Sequence, residues 1–314
     1  MSLAFIFPGQ GSQAIGMGAD LAEAFASARE VFQEVDDALG QKLFALMTAG
    51  DIETLTLTEN AQPALMAVSM AVMRALETEF GVPVTKAAFV AGHSLGEYSA
   101  LAAAGAISLA DTARLLKRRG QAMQRAVPVG EGAMASLIGP KSDVSLAEAA
   151  AQAGSEVGIC VVANDNNAGN VVISGSKAAV DKVIEAAKEL GARAIPLNVS
   201  APFHCPLMQP AADEMAEALA GATILQPKTP LVANVTAEPT HDPEAIRRML
   251  VEQVTGRVRW RESVEFLAGV GGVTRFVEAG AGKVLAGMVE RIAPDTEGLS
   301  LNAPADLEAF AKTL

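Results

Sequence analysis

Two residues in this chain, Ser94 and His204, stand in surroundings that suit nucleophilic chemistry. Ser94 lies in Gly92-His93-Ser94-Leu95-Gly96, a G-x-S-x-G stretch between the apolar run Phe89-Val90-Ala91 and an Ala-rich helical pattern from Tyr98 to Ala106. A nucleophile elbow has that order: a strand, a sharp turn carrying the serine, then a helix whose first N–H groups are unpaired. Gly92 and Gly96 lack a Cβ, which lets strand and helix approach closely. The Leu95 N–H would then face an oxyanion formed on an acyl group at Ser94. Taken alone, the spacing fits equally a tight turn with an ordinary serine at a helix start.

The sharper reading needs a base. His204 stands in the stiff segment Pro202-Phe203-His204-Cys205-Pro206, a poor place to store a core histidine, and imidazole accepts protons near neutral pH. His93 is expected to point away from Ser94 and His241 to mark an exposed helix entry; Cys205 reads as a buried, inert thiol. No Asp obviously completes a triad, which leaves a carbonyl or an amide to orient the imidazole. A third group comes from Lys117-Arg118-Arg119, inside an amphipathic pattern from Leu109 to Val127. Three successive positions span about 200° of a helix, so at least one charge turns toward the core or a cleft. Arg119, beside Gly120, is expected to have room for a ligand.

The elements that must position these groups read as α/β. Leu3-Ala4-Phe5-Ile6-Phe7 is a buried-strand pattern that ends in the Gly-rich loop Pro8-Gly9-Gln10-Gly11-Ser12-Gln13. That loop has neither the G-x-G-x-x-G spacing nor the lysine of a nucleotide site, but its backbone can approach a ligand. Helices are expected at Leu21 to Leu39, Leu43 to Thr48 and Asn60 to Glu79. From Gly132 the rhythm becomes β-α-β-β-α-β, the ferredoxin-like order, with Asn164-Asp165-Asn166-Asn167 as a polar turn between its middle strands. The predicted organisation is a large unit of residues 1–129 and 200–314 around a parallel sheet, with a small unit of residues 130–199 inserted.

Composition bounds the alternatives. The chain has 314 residues, half of them apolar and only 4% aromatic, with 28 Gly, 15 Pro and a net charge of −12. Such acidity disfavours nucleic acid as a general partner. No apolar run reaches the ~18 residues of a membrane span, and the start of the chain has no signal-peptide pattern. Two cysteines and three scattered histidines offer neither a disulfide framework nor metal-ligand spacing. A cytoplasmic protein without a metal, acting as a monomer, is the expectation.

In sequence order, Phe7-Pro8-Gly9-Gln10-Gly11-Ser12-Gln13, Ala61-Gln62-Pro63-Ala64, the Ser94 elbow, Arg119-Gly120, Asn164, Pro202-Phe203-His204 and Gly280-Ala281-Gly282-Lys283-Val284-Leu285 resemble the malonyl-CoA–acyl carrier protein transacylases of fatty acid synthesis and the related acyltransferase domains of polyketide synthases. The resemblance covers nearly the whole chain. It implies an α/β hydrolase-like large subdomain with a parallel sheet core and an inserted ferredoxin-like subdomain. It also implies transfer of a malonyl group from malonyl-CoA to the pantetheine thiol of a phosphopantetheinylated acyl carrier protein, through a malonyl-serine, with no cofactor. On that resemblance Ser94 takes the acyl group, His204 activates it, and the Gln253 main-chain carbonyl orients His204. The N–H groups of Gln10 and Leu95 form the oxyanion hole, and Arg119 clamps the malonate carboxylate. Gln62 supports the pocket, Asn164 belongs to the matched set, and Phe203 has the malonyl-selective form of its motif. Thr255-Gly256-Arg257 departs from the pattern, where many members carry proline. Carriers of this pathway are acidic, so Arg247, Arg248, Arg257, Arg259, Arg261, or Lys177, Lys182 and Lys188, are candidates for a local basic patch.

Two other classes compete. An esterase could share the elbow, but its histidine usually comes late in the chain and a neutral ester needs no buried arginine. A binding module would make Ser94 a helix cap and predicts no covalent chemistry.

Overall fold

The computed structural model describes residues 2–314 as two sheets dressed by helices. Ten strands occur among the described residues: β1 Leu3–Phe7, β2 Phe89–Gly92, β3 Gly132–Ile138, β4 Cys160–Asn167, β5 Asn170–Ser176, β6 Arg193–Pro196, β7 Leu231–Val232, β8 Pro239–Thr240, β9 Arg275–Ala279 and β10 Glu297–Leu301. The large sheet has the order β10-β9-β1-β2-β7-β8 and is parallel except for the β7–β8 pair. The small sheet has the order β4-β5-β3-β6 and is antiparallel throughout. With helices Val144–Gly154 and Lys177–Glu189 as its crossovers, the small unit has the ferredoxin-like topology.

Burial explains why the central strand is apolar at every position. Leu3, Phe5 and Phe7 of β1 pack into one core, while Ala4 and Ile6 face a second core built around Trp260 on the opposite side of the sheet. A parallel strand covered on both faces reads as a continuous apolar run. The long helix Thr58–Phe80 is buried over most of its circumference and ends at Gly81, whose φ of 65° lies in the left-handed region. Because β1, β2, β7 and β9 are parallel, the turns after Phe7, Gly92, Val232 and Ala279 emerge at one edge of the sheet. The site is built at that edge.

The structure corrects the expectation in three places. The helix expected from Leu21 to Leu39 is two, Ala19–Ala24 and Ala26–Leu39, because Phe25 leaves helical geometry to set its ring edge-on against Phe80. Asn164 to Asn167 are not a turn but the buried end of β4; Asp165 bonds to Arg261 and Asn166 to His93, and the chain reverses instead at Ala168-Gly169. Gly120 does not make room for a ligand: a Cβ there would crowd the Thr58 carbonyl and the Glu59 backbone, so its absence lets helices Leu109–Ala126 and Thr58–Phe80 touch. Strand β10 escaped the reading because Glu297-Gly298-Leu299-Ser300-Leu301 is a half-exposed edge with little apolar pattern.

The elbow's glycines are strict. A methyl group on Gly92 would overlap the Gly96 carbonyl, and one on Gly96 would overlap the Phe7 carbonyl. Gly92→Ala is therefore expected to cost about 2 kcal/mol or more of stability. Gly287→Ala, where a Cβ meets nothing within 4 Å on a helix, should gain a fraction of ~1 kcal/mol. Denaturant midpoints check the pair; equal effects would remove the steric argument for the elbow.

Candidate active site

Only three non-glycine residues have positive φ among those described: Ser94 at 53°, His204 at 58° and Ala237 at 56°. Such backbone costs of order 1–3 kcal/mol and persists only where surroundings impose it. At Ser94 the imposition is visible. Its N–H donates to Asn234 Oδ1 at 2.8 Å, Asn234 Nδ2 donates to the Gly92 carbonyl at 2.7 Å, and Gln253 Nε2 donates to the Ser94 carbonyl at 2.9 Å. The Gly96, Glu97 and Tyr98 N–H groups bond back to the His93, Ser94 and Leu95 carbonyls. The Leu95 N–H therefore has no partner among the described residues, and it sits directly after the serine at the helix entrance.

The strained turn brings Ser94 Oγ within 2.7 Å of His204 Nε2. On the far side of the ring, His204 Nδ1 lies 2.8 Å from the Gln253 main-chain carbonyl. A carbonyl only accepts, so Nδ1 carries the hydrogen and Nε2 is left to accept the serine proton. Burial, and then the nearby Arg119 charge, push His204 down to about 3. The imidazole is neutral at pH 7 and available as a base.

Arg119 is 1% exposed and reaches the same serine, with Nη2 3.2 Å from Ser94 Oγ. Its other contacts are to neutral groups: Nη1 donates to Gln62 Oε1 at 2.8 Å, Nη2 to Gln253 Oε1 at 2.7 Å, and the guanidinium lies 5.7 Å from the centre of the Tyr98 ring. No carboxylate pairs with it among the described residues, and its Nε has no partner at all. The two neighbouring cations point elsewhere, as the helical step demands: Lys117 to Glu59 and Arg118 to Glu214.

A cleft of about 280 Å³ opens over these groups and is lined by Gln10, Gln62, Ser94, Leu95, Arg119, Asn164, Phe203 and His204. The sequence-predicted residues thus converge on one space, except Gln253, which lies just beneath the cleft and is fully buried. Gln10 is anchored through its side chain to Thr58 Oγ1 at 3.2 Å. Phe203, with Met134, Leu197 and Val199, supplies an apolar wall, and Asn164 comes from the small unit. Of the other candidates, His93 turns its Nε2 to Asn166 Oδ1 at 2.9 Å, away from the serine hydroxyl. Cys205 is fully buried, donates to the Pro202 carbonyl, and is pushed up by burial. Among the described residues no three His, Cys, Asp or Glu side chains gather as a metal site, and no helix is long and apolar enough to cross a membrane.

Two residues beneath the site escaped the sequence reading. Asn234 follows a strand of only two residues, too short to signal itself, and its one trace is a polar side chain at the carboxyl end of an apolar pair. Glu97 reads as an ordinary first-turn acid, yet it is 1% exposed and bonds to Gln253. Four candidates for the basic patch have partners within the protein. Arg257 pairs with Glu148, Arg259 with Glu262, and Arg261 with Asp165 and Glu265, while Arg247 donates to the Leu219 and Ala222 carbonyls.

Residues 4–297 match the acyl transferase domain family. A malonyl CoA-acyl carrier protein transacylase of Bacillus subtilis (strain 168) is 44% identical, over 99% of this chain and 97% of that protein. An acyl-carrier-protein-S-malonyltransferase of Bartonella henselae has a crystal structure that superposes with a TM-score of 0.97 at 54% identity, covering 100% of this chain and 99% of that one. A type II PKS acyl-carrier protein has been solved in complex with its malonyl-transacylase, which matches at a TM-score of 0.96 and 42% identity over all of both chains. A strained serine against a neutral histidine, in a fold shared over its full length with these proteins, makes this chain a member of the acyl transferase domain family.

Proposed function

We propose that the protein transfers a malonyl group from malonyl-CoA to the pantetheine thiol of acyl carrier protein, through a malonyl ester on Ser94. The observation that carries this reading is Arg119, a buried guanidinium with no carboxylate partner, 3.2 Å from the nucleophilic oxygen. A guanidinium presents paired donors that match a carboxylate fork, so an acyl chain with a free carboxylate completes the site, whereas a neutral acyl group leaves the charge unmet. An esterase would have no use for that charge. The names of near-full-length relatives and the carrier complex of one of them support the same reading.

Ser94 Oγ attacks the thioester carbonyl as its proton passes to His204 Nε2, 2.7 Å away. The negative oxygen of the tetrahedral intermediate is met by the free Leu95 N–H and by the Gln10 N–H from the loop after β1. Collapse expels the coenzyme A thiolate, which takes the proton from His204. The carrier thiol then gives its proton to His204, attacks the ester, and Ser94 leaves with that proton. Phe203 narrows the acyl end of the cleft against a branch. We assign residues 130–199 to the small subdomain and 1–129 with 200–314 to the large one, with Asn164 as the small subdomain's contribution to the cleft.

Three outcomes are expected. Intact mass spectrometry after brief mixing with malonyl-CoA should find one malonyl adduct on the wild type and none on Ser94→Ala, discharged by holo carrier protein; discharge to water at the same rate without carrier would make the protein a hydrolase. Arg119→Ala should slow malonyl loading about a hundredfold relative to acetyl loading, the worth of a lost bidentate charged contact; an unchanged ratio would refute the clamp. An imidazole NMR titration should find His204 still neutral at pH 5, since its folded value near 3 lies below the ordinary 6.5. The same difference means that the unfolded chain takes up a proton which the folded one refuses. Stability from this group is therefore whole above 6.5 and falls as pH drops toward 3. Titration of His204 near 6.5 would contradict both.

A further inference from the structure

We propose that Glu97 is a positioning residue: it fixes which way round the Gln253 side-chain amide sits, and through that amide it aims Arg119 at the acyl site. The inference rests on the malonyl reading above and goes one layer beneath it. An amide has a donor end and an acceptor end of nearly the same shape, so packing alone does not decide its orientation. Gln253 needs its oxygen toward Arg119 Nη2, 2.7 Å away, because the reversed amide would set an NH₂ against a guanidinium N–H. What enforces the working orientation is on the other end: Gln253 Nε2 donates to the Ser94 carbonyl at 2.9 Å and to Glu97 Oε2 at 2.7 Å. Glu97 Oε2 also accepts the Asn234 N–H at 3.3 Å, and Asn234 holds the Ser94 N–H. One carboxyl oxygen therefore orients the Arg119 anchor and braces the elbow.

The chemistry of the acid fits this task. Glu97 is buried without a basic partner in contact, and its Oε1 has no hydrogen-bond partner among the described residues. Burial raises its pKa to about 7, so the neutral acid, with its proton on the unpartnered oxygen, is accessible near neutral pH. In that form Oε2 still accepts both N–H groups, yet the acid places no full negative charge near Arg119. The guanidinium then keeps its charge for the substrate.

The test measures pre-steady-state loading of Ser94 from malonyl-CoA and from acetyl-CoA on the full-length protein, by quench and intact mass. Glu97→Met keeps the volume and removes the acceptor; its malonyl-to-acetyl rate ratio is expected to fall about tenfold, the scale of one lost bond in a charged network. Glu97→Gln restores an accepting oxygen and should recover most of that ratio. Gln253→Met, which keeps the main-chain carbonyl on His204, should lose the ratio as Glu97→Met does. Should Glu97→Met fail to fold, Glu97→Ala, which also removes the acceptor, takes its place with the same expected loss of ratio. Equal slowing of both acyl groups in the folded methionine variants, with the ratio retained, would assign Glu97 a merely structural role and overturn the inference. A wild type that loads acetyl as readily as malonyl would instead sink the malonyl reading, and this inference with it.

Discussion

A positive charge held in the interior, with no carboxylate in contact among the described residues, governs this structure. Burying a guanidinium costs several kcal/mol even after relaxation, and proteins usually offset the cost with a carboxylate. Here Arg119 is met by two amide oxygens, a serine hydroxyl and the face of the Tyr98 ring, all neutral. Each of those partners has to be carried in by a different element. Gln62 comes from the start of helix Thr58–Phe80, Gln253 from the end of helix Pro243–Thr255, and Ser94 and Tyr98 from the elbow. The missing Cβ at Gly120 belongs to the same construction, because the helix bearing Arg119 must lie against the helix bearing Gln62.

The charge also bears on the base. His204 is lowered first by burial and then by Arg119, so an anion docked on the guanidinium offsets the second cause and leaves the first. On the proposed reading an acid-bearing acyl group meets a more basic imidazole than a neutral one does, and attraction and activation then come from one residue. Ser94 and His204, whose side chains meet, both have left-handed backbone, and the Asn234 and Gln253 bonds hold that geometry at the serine.

The groups proposed to react are legible in the sequence, and their supports are largely invisible there. Ser94 was readable because an elbow needs glycines at fixed offsets between a strand and a helix, and each of those has a local pattern. His204 stood out through its flanking prolines, and Arg119 through a run of three charges that cannot share a face. The large sheet's inner strands and the small unit's β-α-β-β-α-β order also follow from periodicity. Glu97 and Asn234 are different. Their roles depend on contacts to residues 137 or more positions away, and nothing local distinguishes them from a first-turn acid and a loop amide. Asn164 to Asn167 were misread for the same reason: four polar residues in a row are a turn by composition, and become a buried strand end only because Arg261, His93 and the Val258 backbone supply partners from across the cleft.

Those partners have a structural consequence. The Asp165 N–H bonds to the Val258 carbonyl and the Val258 N–H to the Ala163 carbonyl, so β4 continues as a two-bond ladder onto the large unit. Arg261 closes on the buried Asp165, Arg257 on Glu148, and His93, next to Ser94, on Asn166. A cleft between two units is only as well defined as the joint between them. Here the joint is made of backbone bonds and ion pairs beside the site, so the wall that carries Asn164 is held close to the serine. Arginines 257, 259 and 261 look like a basic patch in sequence because they are concentrated in five residues. Glu148 and Asp165, which lie on the other side, show that Arg257 and Arg261 serve the joint, whereas Glu262 and Glu265 pair with Arg259 and Arg261 along the arginines' own segment.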